Sequence, residues 1–152
     1  MSEKDIGFMR QALKLARTAA DRGEVPVGAL VVQNDIIIGH GYNRREADQS
    51  PLAHAEILAI DAASRALGSW RLSDCTLYVT LEPCPMCTGA IINARIDRVV
   101  WGADDAKAGC FGSVASLCDM PFNHRPKTTR GCLADECGAI LSDFFAKLRT
   151  KL

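Results

Sequence analysis

No charge of either sign predominates here: 18 Lys and Arg offset 18 Asp and Glu, for a formal net charge of zero. No global field therefore draws the chain onto nucleic acid or a charged membrane, and any basic patch has to be local. Also missing is an apolar run of about 18 residues, so a membrane-spanning helix is not expected. No basic, then apolar, then small-residue leader opens the chain, and no repeat, low-complexity tract or interdomain linker follows. The seven cysteines are an odd number without such a leader, which favours a reduced, cytoplasmic protein over a disulfide scaffold. What is present is ordinary for a globular chain: 48% hydrophobic and 24% charged residues over 152 positions. A single domain over 1–152, long enough for a real core, is expected.

Apolar spacing gives the order of elements. Ile6, Met9, Leu13, Ala16 and Ala20 recur at three- and four-residue steps and predict a helix over 3–22, ended by Gly23. Two β-branched stretches, 25–33 and 36–42, predict a hairpin turning at Asn34-Asp35. Both are apolar almost throughout, so a sheet covered on both faces is expected. A polar loop over 43–49 enters a helix at His54 through the breaker Ser50-Pro51, and that helix runs to about Leu67 before Gly68. Residues 75–81 predict a short buried strand, the stretch from Cys84 to about Ala94 a helix, and 98–102 another strand. Beyond a loop over 103–112, a helical piece near 114–118, a fifth edge strand over 127–131 and a last helix over 133–150 are predicted. That order implies an α/β fold: three layers, α-β-α, with a mixed five-stranded sheet flanked by helices.

The chemistry concentrates in His54-Ala55-Glu56 and Pro83-Cys84-Pro85-Met86-Cys87. One imidazole and two thiolates make three zinc ligands, which leaves one tetrahedral position for water. Cys84 and Cys87 are three apart, so in a first helical turn both thiols share a face, about 5–6 Å apart at Cβ. The free N–H groups and positive end of the helix favour thiolate there. Pro83 suits the strand-to-helix turn. Glu56, two residues from His54, can reach the bound water without being a ligand. The bland readings are a redox pair for Cys84 and Cys87, a satisfied core histidine for His54, or a structural zinc site. The last wants a fourth ligand; His40, His124 and the other five cysteines are candidates, but none lies in a second closely spaced motif.

H-x-E followed by P-C-x-x-C is the signature of the zinc deaminases. The chain resembles the bacterial tRNA-specific adenosine deaminases of the cytidine-deaminase-like superfamily along nearly its whole length. The matching stretches are Glu24-Val25-Pro26-Val27-Gly28-Ala29, Tyr42-Asn43-Arg44, Ala53-His54-Ala55-Glu56-Ile57 and 76–84. Further on come Gly102-Ala103-Asp104-Asp105-Ala106-Lys107, Asn123-His124-Arg125 and Leu133-Ala134-Asp135-Glu136-Cys137 leading to Phe144-Phe145. The zinc signature is common to the superfamily and gives the reaction type. The Asn43 loop, the Asp104 loop, Asn123-His124-Arg125 and the basic last helix point to tRNA. Two local departures are Pro85 after the first cysteine and Cys110 in the substrate-side loop.

The resemblance implies hydrolytic deamination of the wobble adenosine of an arginine tRNA anticodon to inosine, with one zinc per subunit held by His54, Cys84 and Cys87. Glu56 would take a proton from the zinc-bound water, pass it to N1 of the purine and then protonate the departing ammonia. It further implies that Asn43 binds the flipped nucleotide, that Ala55 and Cys84 contact base and leaving group through their backbones, and that Val27 walls the pocket. On pattern alone Val27 reads equally as a core strand residue. Asp105, Lys107, Asn123, Phe145 and Arg149 would bind the anticodon stem-loop. Lys147, Arg149 and Lys151 also suit the C-terminus of any helix. A homodimer is expected by the same resemblance, and Ile91, Ile92, Val99, Val100 and Trp101 look like more apolar surface than one sheet face needs. Two alternatives stand: a deaminase of a free base or nucleoside, such as guanine or cytosine, and a zinc-stabilised RNA-binding module without catalysis. Glu56 argues against the second, which has no use for a carboxylate beside an open position.

Overall fold

The computed structural model describes residues 1–151. Its first helix, α1 (Glu3–Asp21), starts where the sequence supplies a capping box: Ser2 Oγ accepts from the Asp5 N–H and the Asp5 carboxylate from that of Ser2, both at 3.1 Å. Met9, Ala12, Leu13, Ala16 and Ala19 form its buried face. Strand β1 (Gly28–Gln33) begins three residues later than the 25–33 expected. Val25-Pro26-Val27 is β-branched like a strand, but the Val27 N–H turns back to the Val25 carbonyl at 2.9 Å and so leaves the ladder. Asn34 and Asp35 both take positive φ, 51° and 63°, which closes a tight hairpin onto β2 (Ile36–Tyr42).

The rest follows in the order expected: α2 (Ala55–Leu67), β3 (Cys75–Leu81), α3 (Pro85–Ala94), β4 (Arg98–Ala103), β5 (Lys127–Thr129) and α4 (Ala134–Thr150). The helical piece expected near 114–118 is a 3-10 turn at Leu117–Asp119. One mixed sheet has the order β2-β1-β3-β4-β5. β2 and β3 pair with β1 antiparallel, whereas β3, β4 and β5 run parallel. β5 pairs over only three residues, shorter than the 127–131 expected.

Alternation along the central strands builds two cores. Ala29, Val31, Leu77, Val79, Val99 and Trp101 face α2 and α3 with Ala55, Ala59, Ala63 and Ile91. Leu30, Val32, Tyr78 and Val100 face α1 and α4 with Met9, Leu13 and Cys137. Coverage on both faces holds for β1 but not for β2, the sheet edge, where Ile36 is 64% exposed. Ile91, Ile92, Val99, Val100 and Trp101 are all buried within the chain. Ile91, Val99 and Trp101 belong to the first core and Val100 to the second, while Ile92 is buried outside both, so these residues offer little surplus surface for a second copy.

Candidate active site

The site lies at the C-terminal end of β3, where open α/β sheets place their ligands. Two chain segments leave loops there and become helices. His54 is the N-cap of α2 and Cys84 the N-cap of α3, both in extended backbone, with Pro85 opening α3. Cys84 therefore sits one position before the first turn, and Cys87 within it. Helix α2 can approach because β2 has no side chains in its way: a Cβ at Gly41 would stand 2.8 Å from the Ala55 carbonyl and one at Gly39 2.5 Å from that of Ala59.

His54 Nδ1 lies 3.6 Å from Cys84 Sγ and 3.5 Å from Cys87 Sγ, and the three ligand atoms all lie within 4.8 Å of one another. A tetrahedral zinc with its usual bond lengths would place nitrogen and sulfur about 3.6 Å apart, so the donor set fits that ion in spacing and chemistry. Neither His40 nor His124 belongs to the cluster; His124 Nε2 instead meets the Ile96 carbonyl at 2.7 Å. All seven cysteines are free.

Electrostatics separate the groups. Hydrogen bonds from Cys87 and His54 bring the Cys84 thiol down to about 4 despite its burial. Cys87 is the proton donor of that pair and is shifted upward. Contact with Cys84 raises His54, against burial and, to a smaller extent, the positive charge of Arg45. Glu56 is 5% exposed, and burial pushes its carboxyl up to about 7. A carboxyl raised in this way is suited to take a proton and give it back.

His54, Glu56 and Cys84, with Cys87 buried behind them, floor a cavity of about 200 Å³, smaller than the roughly 300–1,000 Å³ of sites for drug-sized ligands and suited to one heterocyclic base. Val27, Asn43, Ala55 and Asp105 line it. The Asn43 amide is half used, Nδ2 donating to the Val25 carbonyl at 3.2 Å and Oδ1 accepting from the Arg45 N–H at 3.1 Å. Asp105 Oδ1 caps its own turn, accepting from the Lys107 and Ala108 N–H groups. Lys107, Asn123, Phe145 and Arg149 are exposed and do not line the cavity. Phe145 is 40% exposed, edge-on to the half-buried Phe144 at 5.4 Å.

The cavity also holds residues not foreseen: Arg45 on the rim, Val25, Leu81 and Ala108 in the walls, and Glu82. A second buried carboxylate stands behind one wall. Glu24, 2% exposed, accepts from the Glu46 and Ala47 N–H groups at 3.0 and 2.8 Å and so holds the 43–49 loop. A Glu closing the apolar run 76–81 was the available signal for Glu82; for Glu24 the sequence offers none.

The three-layer fold and a His/Cys/Cys cluster at two helix N-termini beside a buried glutamate place the molecule among the cytidine-deaminase-like hydrolases. The family model of the MafB19-like deaminases matches residues 3–149. The tRNA-specific adenosine deaminase of Bacillus subtilis is 50% identical over 149 residues, 97% of this chain and 92% of that protein. A solved structure of a tRNA:A34 deaminase, studied for A-to-I editing at the wobble position, superposes with a TM-score of 0.87 at 43% identity. That match covers 89% of this chain and 99% of that one. The guanine deaminase of Nitrosomonas europaea superposes with a TM-score of 0.74 at 27% identity, covering 91% and 82%. The chain belongs to the MafB19-like deaminases and, within them, to the tRNA-specific adenosine deaminases.

Proposed function

We propose that this protein deaminates the wobble adenosine of a tRNA anticodon, that of an arginine tRNA, yielding inosine and ammonia from adenosine and water. The observation that carries this is the buried Glu56 beside a His/Cys/Cys set at tetrahedral spacing, with Glu56, His54 and Cys84 lining a base-sized cavity. His54 Nδ1 and the Cys84 and Cys87 sulfurs would hold one zinc ion per chain. Zinc bound there supplies Lewis acidity, which brings the pKa of a water molecule towards about 7. Glu56 accepts one proton of the attacking water and delivers it to N1 as C6 is attacked. It then takes the second proton from the new C6 hydroxyl and passes it to the departing amine, so that ammonia leaves and the C6 carbonyl of inosine forms. Val27 and Leu81 would pack against the ring from the cavity lining, and the Ala55 N–H, one of the four that α2 leaves without a partner in the helix, would serve as a donor to the base. The spare N–H and carbonyl lone pair of Asn43 hold the nucleotide. Asp105 would meet the nucleotide at the cavity wall, and Lys107, Asn123, Phe145 and Arg149 would grip the loop outside it.

A stacked base cannot present C6 to a cavity floor, so the substrate is a nucleotide flipped out of a loop. The test is to incubate the zinc-loaded protein with total tRNA and analyse its nucleosides for inosine, with free guanine, cytidine and adenosine in parallel. Inosine in tRNA with little turnover of the free compounds is expected. Rapid guanine or cytidine deamination without inosine in tRNA would establish the free-base reading instead.

The homodimer belongs to the same proposal. Its support is now the exposed apolar set Leu52, Val114, Met120 and Phe122, each 47–59% exposed. A light-scattering mass of one chain, 16.4 kDa, at micromolar concentration would sink it. A cytoplasmic location fits this substrate, and no helix among the described residues is long and apolar enough to cross a membrane.

A further inference from the structure

Glu82 closes β3 and precedes Pro83-Cys84, yet it faces away from the cluster and is 2% exposed. Its carboxylate gathers one loop. Oε1 accepts from the Asp105 N–H at 3.0 Å and from the Ser113 hydroxyl; Oε2 accepts from the Phe111 and Ser113 N–H groups at 2.9 and 3.1 Å. An ionised carboxylate offers about four lone-pair sites, and here all four are taken. Glu82 thus borders the cavity without an acceptor left for a ligand. The loop is fitted around it: a Cβ at Gly109 would overlap the carboxylate, and the Cys110 N–H bonds to the Pro83 carbonyl at 2.9 Å. Asp105 and Ala108, which this loop carries, form one wall of the cavity.

We propose that Glu82 is a positioning residue: its buried carboxylate folds residues 104–113 into the wall that grips the substrate nucleotide, and it takes no part in the proton transfers. This rests on the RNA-editing reading for its kinetic consequence, but the folding of the wall is measurable without substrate. A change to Gln keeps the shape but replaces one oxygen by an NH2 donor; even in the better orientation, with the NH2 towards the Ser113 hydroxyl, the buried Asp105 N–H loses its acceptor.

Hydrogen–deuterium exchange on zinc-loaded protein is the primary test, with Glu82→Gln, Gly109→Ala and Ser113→Ala compared with the parent. The last two keep Glu82 and disturb only its fit, so they serve even where Glu82→Gln folds poorly. In Glu82→Gln the amides of Asp105, Phe111 and Ser113 should exchange about tenfold faster or more, while those of β1 and β3 stay protected. Gly109→Ala should do the same to a smaller degree, and Ser113→Ala least. On an RNA anticodon stem-loop with adenosine at the wobble position, KM should rise about tenfold while kcat stays within about threefold and zinc content is unchanged. Unchanged exchange in 104–113 overturns the proposal, as does faster exchange spread evenly over the whole sheet, which marks a general folding role. A fall in kcat at constant KM also overturns it, because Glu82 would then act on the chemistry. If the parent itself leaves RNA untouched, the editing reading fails, and the exchange result still decides what Glu82 does.

Discussion

Two buried carboxyl groups in this molecule behave in opposite ways, because Asp5 accepts from a guanidinium and a hydroxyl whereas desolvation dominates at Glu56. Asp5 faces Arg98 through two hydrogen bonds, at 2.8 and 2.7 Å, and accepts from the Tyr78 hydroxyl at 2.7 Å. The guanidinium holds its carboxyl well below the usual carboxylate range. A depressed folded pKa stabilises the protein above the unfolded value of about 4 and loses that contribution as pH falls below it. Arg98→Ala should therefore destabilise the fold by about 2–3 kcal/mol at pH 7 and flatten the acid side of its stability profile, as urea titrations from pH 3 to pH 7 would show. Glu56 has no such partner on the protein and rises to about 7. Glu56→Ala should keep fold and zinc while turnover falls at least about 10²–10⁴-fold, the usual weight of general acid–base catalysis; activity within a factor of about ten of the parent would take Glu56 out of that role. Metal analysis of Cys87→Ala should show most of the zinc gone, and full retention would mean that another residue supplies the ligand.

Elements matter here chiefly through the places where they touch. Helix α2 brings His54 and Glu56 to the site only because β2 is bare at Gly39 and Gly41, whereas Gly28 makes room for α1 on the other face. Gly41→Ala pushes a methyl against the Ala55 carbonyl at 2.8 Å. It should cost about 1–3 kcal/mol and weaken metal binding with it. Gly28→Ala should lower the melting temperature as much or more and leave zinc affinity near that of the parent; a loss of zinc in both would show that general destabilisation, not the seat of α2, governs the metal. The order of these elements was readable from the sequence because each carries its own period, and the hairpin because Asn34 and Asp35 both tolerate positive φ. The metal ligands were readable because each group is contiguous in sequence. What eluded the sequence is one local turn and several contacts between residues far apart in the chain. Val25-Pro26-Val27 has strand composition, but a local turn takes its N–H. Ile91, Ile92 and Trp101 look like interface until both sheet faces are seen to be covered. Glu82 meets partners 23–31 residues away, and no local pattern announces such a contact.

For the whole molecule, the neutral charge sets the problem of how an RNA is held at all. The base-sized cavity can secure one nucleotide, but phosphate contacts supply most of the affinity of such complexes and must come from a local cluster of cations. Loop RNA is gripped by aromatic stacking together with cations on the backbone. The C-terminal half of α4 presents both on its open side: Phe145 is 40% exposed and Leu148 46%, and Lys147, Arg149 and Lys151 are all exposed. Only Cys137 of this helix is fully buried, so its N-terminal half anchors it to the sheet and the rest is not consumed by the core. Lys147 and Arg149 also oppose the negative end of the helix dipole, worth about 0.3–1 kcal/mol each, and that role alone would need no RNA. The two accounts part under salt. Replacing Lys147, Arg149 and Lys151 with Ala should weaken tRNA binding and flatten the slope of log K against log salt by roughly 0.7–0.9 for each phosphate that is no longer neutralised. The melting temperature should fall only as far as the missing charge–dipole attraction requires, and turnover of a free nucleoside, which needs no backbone grip, should not change. An unaltered salt slope in the triple variant, with tRNA deaminated as before, would assign the three cations to helix capping and move the RNA grip elsewhere, with the rim residue Arg45 the next position to replace.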